Sequence, residues 1–307
     1  MKRIVIGFIT VGLAMLAAPA SASTLSLAGN DEMYQVSCDG SHQRNQLTQV
    51  HLAEQTVTTI GTGEGAPGSA CASQGALIAS TGWFYYVDWA NNDRLLRTDL
   101  ETGSIEVIGI LHEGGAGMDI DSLAVGPGEQ VYAIRNHNLY NLNLDDASVS
   151  LATAIDPTGL SLGHLYGFAY DPSSKHYYVV DDEGDSLYKL NVETGHLTYV
   201  ATNSDFWVGS MDFDSDGYMW FNGDDNGVYR VWPSQFGNSS KIRGSGDLDY
   251  LGDNIYSESL QILRDPIPAK DKDNEGLAYT GAADISWVLG FAGIAGLGAV
   301  ALRRRAK

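Results

Sequence analysis

One short string in the sequence has the residue spacing of a calcium-binding loop. Asp212, Asp214 and Asp216 alternate along "DFDSDG", and Gly217 follows at the sixth position. Alternating carboxylates begin a Ca²⁺ loop because this spacing turns three side chains inward. The twelfth position, where a complete EF-hand loop has Glu, is Gly223. Two interpretations stay open: a Ca²⁺ site at the three aspartates, or an acidic turn between strands.

The candidates for catalysis are His112, His164 and Asp121. His112 and His164 lie near predicted connections between repeated strand units, and Asp119 and Asp121 lie at predicted strand starts near a channel mouth. The sequence has no GxSxG elbow, no HExxH motif and no Gly-rich phosphate loop. No catalytic residue is therefore assigned. Binding is favoured over catalysis, and an extracellular lyase or hydrolase is the alternative.

Four aromatic residues are candidates for contact with a ligand. Aromatic rings stack on sugars when they are exposed, but they also pack between strands when they are buried. The sequence does not decide between these two roles. The four residues are Trp83, Trp89, Phe206 and Trp207.

The charge of the chain argues against one class of partner. The chain has 18 Lys and Arg against 38 Asp and Glu, which gives a net charge of −20. Nucleic-acid binding depends on Lys and Arg that neutralise phosphates, so no nucleic-acid partner is expected. An acidic surface suits an exported protein that faces cations such as Ca²⁺.

The only two cysteines are Cys38 and Cys71. In an oxidising compartment, such a pair more often forms a disulfide than it serves chemistry. We therefore expect a Cys38–Cys71 disulfide, with two free thiols as the alternative. No CxxC pair or Cys/His cluster indicates zinc.

A repeated pattern runs through the middle of the chain. Each copy has an alternating strand, a short polar turn and a second alternating strand, which predicts a β-hairpin. Upstream of each later hairpin, a small residue precedes a large apolar one. The hairpin copies are "LTQVHLAEQTVTTIG" from Leu47, "LLRTDLETGSIEVIG" from Leu95, "LYNLNLDDASVSLAT" from Leu139 and "LYKLNVETGHLTYVA" from Leu187. The upstream pairs are Ala76-Leu77, Ser122-Leu123, Gly167-Phe168 and Ser210-Met211.

Four short strands per unit, at a period of about 45 residues, are typical of a β-propeller. Weaker copies, "MYQVS" at Met33 and "IYSESLQI" at Ile255, extend the series at both ends. We therefore predict an all-β fold with a single propeller of about six four-stranded blades, and five is the alternative. A β-sandwich would explain the hairpins but not the fixed period.

The predicted blades resemble those of the NHL/YVTN-type and virginiamycin-lyase-like propellers of exported bacterial proteins. The resemblance covers roughly residues 75–232 and rests on phrases such as "LYKLNVETGHLTYV" and "AYDPSSKHYYVVD". It implies the architecture. It leaves the function open, because such propellers host both binding and catalysis.

The N-terminus has the pattern of an export signal. Lys2 and Arg3 precede the apolar run Ile4–Ala18, and a small-x-small motif follows. The run is shorter than the roughly 20 residues of a membrane span, so a retained anchor is the less favoured alternative. The predicted cleavage site consists of Ala20, Ala22 and Ser23.

The C-terminus combines a pentapeptide, an apolar run and a basic end. Ile285–Leu302 is 18 residues long without a charge, and Arg303-Arg304-Arg305 follows. With "LAYTG" ahead of it, this order resembles the cell-wall sorting signal of Gram-positive bacteria, in the variant that has Ala in place of Pro. The resemblance implies that a sortase cleaves after Thr280 and joins it to peptidoglycan. The motif residues are Leu277, Ala278, Thr280 and Gly281.

These observations predict an exported protein that is anchored to the cell wall and inserts into the membrane only transiently, through Ile285–Leu302. Its propeller is expected to bind an unknown extracellular glycan or protein; a structural wall protein without a dedicated ligand is a further alternative. The predicted parts are a signal peptide at 1–22, the propeller at 23–265, a spacer at 266–276, the sorting motif at 277–281, and a transmembrane helix with a basic tail at 282–307.

Overall fold

A computed structural model gives the fold of the chain. It describes residues 30–38, 45–51, 56–61, 72–88, 93–183, 185–203, 207–223, 228–238, 240–241 and 259–264. The predicted signal peptide, spacer, sorting motif and apolar run lie outside these residues, and so does Cys71. Within the described part of the chain, no helix is long and apolar enough to cross a membrane.

The regular structure is almost entirely antiparallel sheet. In the described residues there are five four-stranded sheets, here blades I to V, and one two-stranded hairpin. Blade I contains β1 (Glu32–Cys38), β2 (Asn45–His51), β3 (Thr56–Ile60) and β22 (Gln261–Leu263). Blade II contains β4 (Ala72–Ile78), β5 (Trp83–Asp88), β6 (Arg94–Asp99) and β7 (Ile105–Ile110), and the hairpin β8 (His112–Glu113) and β9 (Ala116–Gly117) follows.

The remaining blades repeat this order of strands. Blade III contains β10 (Ser122–Val125), β11 (Val131–Arg135), β12 (Asn138–Leu142) and β13 (Val149–Ala154). Blade IV contains β14 (Leu165–Asp171), β15 (His176–Asp181), β16 (Ser186–Leu190) and β17 (Leu197–Thr202). Blade V contains β18 (Val208–Phe213), β19 (Met219–Gly223), β20 (Val228–Val231) and β21 (Ser240–Lys241). Short 3₁₀ segments occur at Pro127–Glu129 and Pro233–Asn238.

The five blades close into a ring around a central axis. The inner strands β4, β10, β14, β18 and β22 contact one another in turn. The predicted all-β propeller is therefore confirmed, but the prediction of about six blades is wrong and the alternative of five is correct. The error has a simple cause: the two weak terminal copies are parts of one blade. Met33 in β1 pairs with Ile262 in β22, so blade I is built from both ends of the chain.

The small residues of the repeat lie on the inner strands, where neighbouring blades come closest. Ala76, Ser122, Gly167 and Ser210 are all buried. The Ser122 hydroxyl donates to the carbonyl of Leu165 on the next inner strand at 3.0 Å. A larger side chain at these positions would separate the inner strands.

The apolar core of the molecule lies between blades. Among the described residues, each of the five main apolar clusters joins side chains from two neighbouring blades. One cluster, for example, joins Phe168 and Tyr177 of blade IV to Ile134 of blade III. A single blade therefore leaves most of its apolar surface uncovered until its neighbours are in place.

The outer hairpin turns form a second set of contacts between blades. In blade IV the Asn191 carboxamide accepts the N–H groups of Glu193 and Thr194, both at 3.0 Å, and this fixes the turn. Gly195 completes the turn at φ +73°. Its carbonyl accepts the N–H of Asp156, just after β13 of blade III, at 2.9 Å. This turn of blade IV thus supports blade III, the blade before it.

We expect Gly195→Ala to destabilise the propeller more than Gly159→Ala. Both glycines have positive φ, but a Cβ at Gly195 would lie 1.9 Å from the Ala154 carbonyl oxygen, whereas a Cβ at Gly159 would meet nothing within 4 Å. The left-handed conformation costs a non-glycine residue about 1–2 kcal/mol at either site. The overlap at Gly195 should add roughly 1–3 kcal/mol. Urea unfolding measures the free energy of unfolding of both variants. Equal losses would contradict the role of Gly195 in the contact between blades III and IV.

Candidate functional site

The ring has two faces, which we name after the direction of the inner strands. We call the face where the inner strands begin the start face, and the face where they end the end face. On the end face, neighbouring turns bond to each other: the Ser80 N–H donates to Glu129 at 2.8 Å, and the Ser215 N–H donates to Asp31 at 2.7 Å. These bonds join adjacent blades and engage the polar groups of the turns.

The acidic string "DFDSDG" lies on the end face, at the end of β18 and in the following turn. Asp212 is buried, and its carboxylate accepts the N–H of Ile262 at 2.8 Å and bonds to the Arg264 guanidinium. These partners belong to the closing strand of blade I and the residue after it. Asp212 therefore connects blade V to blade I.

Asp214 is also buried, and its oxygens are engaged within blade V. One oxygen accepts the indole N–H of Trp220 at 2.9 Å, and the other accepts the N–H groups of Asp216 at 3.1 Å and Tyr218 at 2.9 Å. The described residues contain no group of three His, Cys, Asp or Glu side chains that could hold a metal ion. The string "DFDSDG" therefore runs from the end of β18 into the turn before β19, and the Ca²⁺ site at Asp212, Asp214 and Asp216 stays a prediction.

On the start face, Asp121 and His164 lie next to each other. Asp121 precedes β10 and His164 precedes β14, and the His164 Nδ1 atom is 3.7 Å from an Asp121 carboxylate oxygen. Asp121 also accepts the N–H of Asn136 at 2.9 Å, which orients its carboxylate. The His164 side chain is 60% exposed, so a ligand can reach the ring.

Two aromatic rings continue from His164 along the start face. The His164 and Tyr166 ring centroids are 5.9 Å apart, and those of Tyr166 and Trp207 are 5.5 Å apart. Tyr166 and Trp207 are partly exposed. We call Asp121, His164, Tyr166 and Trp207 the start-face strip, because they form a continuous row over blades III, IV and V.

The backbone beneath the strip is held by two aspartates of blade IV. The N–H of Gly163 donates to the buried Asp181 at 2.6 Å, and the N–H of His164 donates to Asp182 at 2.7 Å. The His137 ring nitrogen Nε2 lies 2.8 Å from the Gly163 carbonyl oxygen. The segment that presents His164 is therefore tied to two strand connections, and this fixes the position of the ring.

A group of charged side chains lies beside the strip, between blades II and III. The Arg135 guanidinium bonds to Asp119 at 2.6 Å, and Arg94 bonds to the buried Asp88 at 2.5 Å. The pKa of Asp93 is raised to about 6, mainly by burial and also by the negative charges of Asp119 and Asp88, while Arg135 opposes the rise. Negative charge therefore exceeds what the two arginines compensate.

The sequence analysis identified part of this site. It placed Asp119 and Asp121 near a channel mouth and His164 near a connection between repeated units, and it named Trp207 as a ligand candidate. The structure brings Asp121, His164 and Trp207 into one row. His112 lies elsewhere, in β8, where it forms a bridge with Ser148 of blade III.

Of the other aromatic candidates, Trp83 stacks on Arg97, whose guanidinium carbon is 4.3 Å from the ring centroid. Trp89 and Phe206 lie outside the described residues.

The sequence analysis missed Asp93 and Tyr166. A signal for Asp93 was present, because Asp93, His137 and Asp185 take the same position in three repeats. All three have positive φ, and their carbonyls accept the N–H groups of Leu111, Ile155 and Asn203. No comparable signal marks Tyr166, which the repeat treats as an ordinary strand residue.

The fold defines the class of the protein as a five-bladed β-propeller. No protein-family model matches the sequence, and no curated protein matches it. The structure is similar to a chain of a nidogen–laminin complex (13% identity, 69% of this chain and 77% of that chain covered, TM-score 0.46). It is also similar to a gluconolactonase from Xanthomonas campestris (14% identity, 69% and 75% covered, TM-score 0.45).

We expect Asp93→Asn to stabilise the protein at pH 7 but not near pH 4. Because the folded-state pKa is raised from 3.8 to about 6, the folded chain binds more protons than the unfolded chain between these values, and stability falls as pH rises through this window. The substitution removes this loss. The gain at pH 7 should be about 1 kcal/mol, discounted for the partial exposure of the carboxyl group.

Thermal melting from pH 4 to pH 7 measures this difference. Asp185→Asn, at the equivalent left-handed position of blade IV, controls for the effect of Asn on the backbone. A gain of equal size at both pH values would contradict the electrostatic explanation.

Proposed function

We propose that this protein is an exported β-propeller, anchored to the cell wall through Thr280, whose start face binds an extracellular glycan. The observation that carries the proposal is the start-face strip, in which partly exposed aromatic rings continue a row that begins with the exposed His164 and the Asp121 carboxylate. The strip supports a role in binding, and the terminal segments of the sequence support display outside the cell.

The chemistry of the strip suits a sugar. The C–H faces of a pyranose ring pack against Tyr and Trp rings, and sugar hydroxyl groups donate hydrogen bonds to carboxylates. The surrounding charge narrows the choice, because the chain carries a net charge of −20 and acidic side chains lie beside the strip. A polyanionic glycan would be repelled, so the proposed ligand is a neutral or amino-sugar glycan.

The direction in which the chain leaves the ring supports display of this face. The inner strands run in the same direction: Ser210 bonds to Leu260 and Asp212 to Ile262, in matching order along β18 and β22. Arg264, the last described residue, follows β22 and bonds to the Phe213 carbonyl on the end face. A tether that starts here leaves from the face opposite the start-face strip, so attachment to the wall would turn the strip outward.

The proposed attachment rests on the sequence of the C-terminus. "LAYTG", the 18-residue apolar run and the basic end together resemble a sorting signal, and the N-terminal signal would deliver the chain to the membrane. A sortase would then join Thr280 to peptidoglycan, and Ile285–Leu302 would hold the chain in the membrane only until that step.

One observation favours catalysis as a second candidate. The Asp121 and His164 side chains lie 3.7 Å apart, so a small movement of the exposed ring would bring it within hydrogen-bond distance of a carboxylate that could orient it as a general base. A lyase or hydrolase acting on the same glycan would use His164 in this way. Turnover that is lost in His164→Ala would select this candidate over simple binding.

Thr280→Ala should prevent attachment to the wall. In a host that has a sortase of this type, we expect the unaltered chain to be released only by enzymes that digest peptidoglycan. The variant should stay in the membrane fraction and be extracted by detergent. Tyr279→Ala changes the unspecified position of the motif and is the matched control, because it should still be attached. A Thr280→Ala variant found in the wall fraction would contradict sortase anchoring.

Trp207→Ala should weaken glycan binding by roughly tenfold, which corresponds to about 1.4 kcal/mol. The purified exported chain is first screened on a glycan array, and affinities are then measured by calorimetry. Trp83→Ala is the matched control, because Trp83 is a partly exposed Trp at the end-face side of blade II. Silence of the unaltered protein on the whole array, or equal losses in both variants, would contradict the proposed site.

A further inference from the structure

The ring is closed by one short strand. β22 has three residues, and its register with β1 consists of the pairs Glu32–Leu263, Met33–Ile262 and Tyr34–Gln261. In blades II to V the inner strand is continuous with the rest of its blade. In blade I the inner strand β22 comes from the other end of the chain. No turn joins it to β1, so the pairing with β1 holds it without a direct covalent link.

The edge of β22 that faces away from β1 is bonded to side chains of blade V. The N–H of Leu260, just before β22, donates to the Ser210 hydroxyl at 2.9 Å, and the N–H of Ile262 donates to the Asp212 carboxylate at 2.8 Å. Ser210 and Asp212 alternate along β18 and therefore face the same side. This places a carboxylate acceptor against the closing strand, whereas the corresponding Ser122 of blade III bonds through its hydroxyl to the Leu165 carbonyl of blade IV.

Arg264 completes these contacts directly after β22. Its Nη2 atom bonds to the second oxygen of Asp212, and its Nε atom donates to the Phe213 carbonyl at 2.7 Å. The Asp212 and Arg264 side chains are 8% and 24% exposed, so the ion pair is shielded from water. Charge-assisted bonds of this kind are stronger than neutral ones. We call Asp212 and Arg264, with the Phe213 carbonyl, the closure latch.

The other end of the described chain is held by the same blade. Asp31, just before β1, accepts the N–H of Ser215 at 2.7 Å and its hydroxyl at 2.8 Å. Both the chain that enters blade I and the chain that leaves it are therefore bonded to the end of β18 and the turn that follows.

We infer that the closure latch protects the ring against tension on the C-terminal tether. Tension from the C-terminal side reaches Arg264 before it reaches Leu263. Without the latch, the antiparallel β1–β22 ladder would separate one pair at a time, beginning at Glu32–Leu263. With it, the Arg264 bonds to Asp212 and Phe213 must break first, and this keeps β22 in place while the tether is pulled.

This inference concerns the wall tether of the proposed function, but its test does not need a cell wall. The purified exported chain is held by handles at its two ends and pulled at constant force, and the waiting time before the first extension step is recorded. Forced unfolding reports the unfolding rate directly. We expect Arg264→Gln to shorten the waiting time by roughly tenfold, because the charge-assisted bonds to Asp212 are lost.

Arg97→Gln is the matched control. Arg97 forms an exposed ion pair with Glu106, with an N–O distance of 2.6 Å, between β6 and β7 of blade II and away from both chain ends. Its loss should leave the waiting time unchanged. Equal waiting times for the unaltered chain and Arg264→Gln, or an equal shortening in Arg97→Gln, would overturn the inference.

A second variant keeps the test decisive if Arg264→Gln does not fold. Arg264→Lys retains the charge opposite Asp212 but lacks the planar fork that also reaches the Phe213 carbonyl. We expect an intermediate waiting time, and a value equal to that of the unaltered chain would count against the latch. Unchanged waiting times would overturn the latch but not the proposed attachment through Thr280. Conversely, Thr280→Ala found in the wall fraction would overturn the attachment but not the resistance of the latch to force.

Discussion

The closing of the ring is the constraint on which the rest of this structure depends. Each main apolar cluster of the described residues is shared by two neighbouring blades, and no blade encloses a core of its own. Four of the five junctions join blades that follow each other in the chain. The fifth joins blade V to blade I and needs β22 to return from the far end. Its few residues therefore influence the packing of blades that they do not touch.

Acidic residues form bonds on both faces of the ring. On the end face, Asp31, Asp212 and Asp214 accept hydrogen bonds that hold blade V against blade I and fix the turn after β18. On the start face, Asp119 and Asp121 are bonded as well. The start face adds partly exposed rings beside Asp121, and these rings are the basis of the proposed binding site.

The sequence was sufficient to predict repetition but not closure. Period and alternation are local properties, so the hairpins and the small residues ahead of them, such as Ser122 and Gly167, could be identified from the pattern alone. Blade I was counted twice because its strands lie at the two ends of the chain and each part resembles a weak copy. The partner of Asp212 was equally hidden, since Arg264 lies 52 residues further on and no spacing rule connects them. At Asp212, Asp214 and Asp216 the sequence showed calcium spacing and an acidic turn, but not the bonds from Asp212 to the closing strand.

A propeller that is tethered by one end faces a mechanical problem that a free one does not. The same residue, Arg264, ends the ring and begins the segment that would lead to the wall, so a pull on that segment would act directly beside the three-residue pairing of β22 with β1. The shielded ion pair of this residue separates closure of the ring from attachment to the wall, because tension acts on the bonds to blade V before it reaches β22. The start-face strip lies at the opposite ends of the inner strands. A force between a ligand bound there and the wall would therefore cross the ring from the start face to the end face.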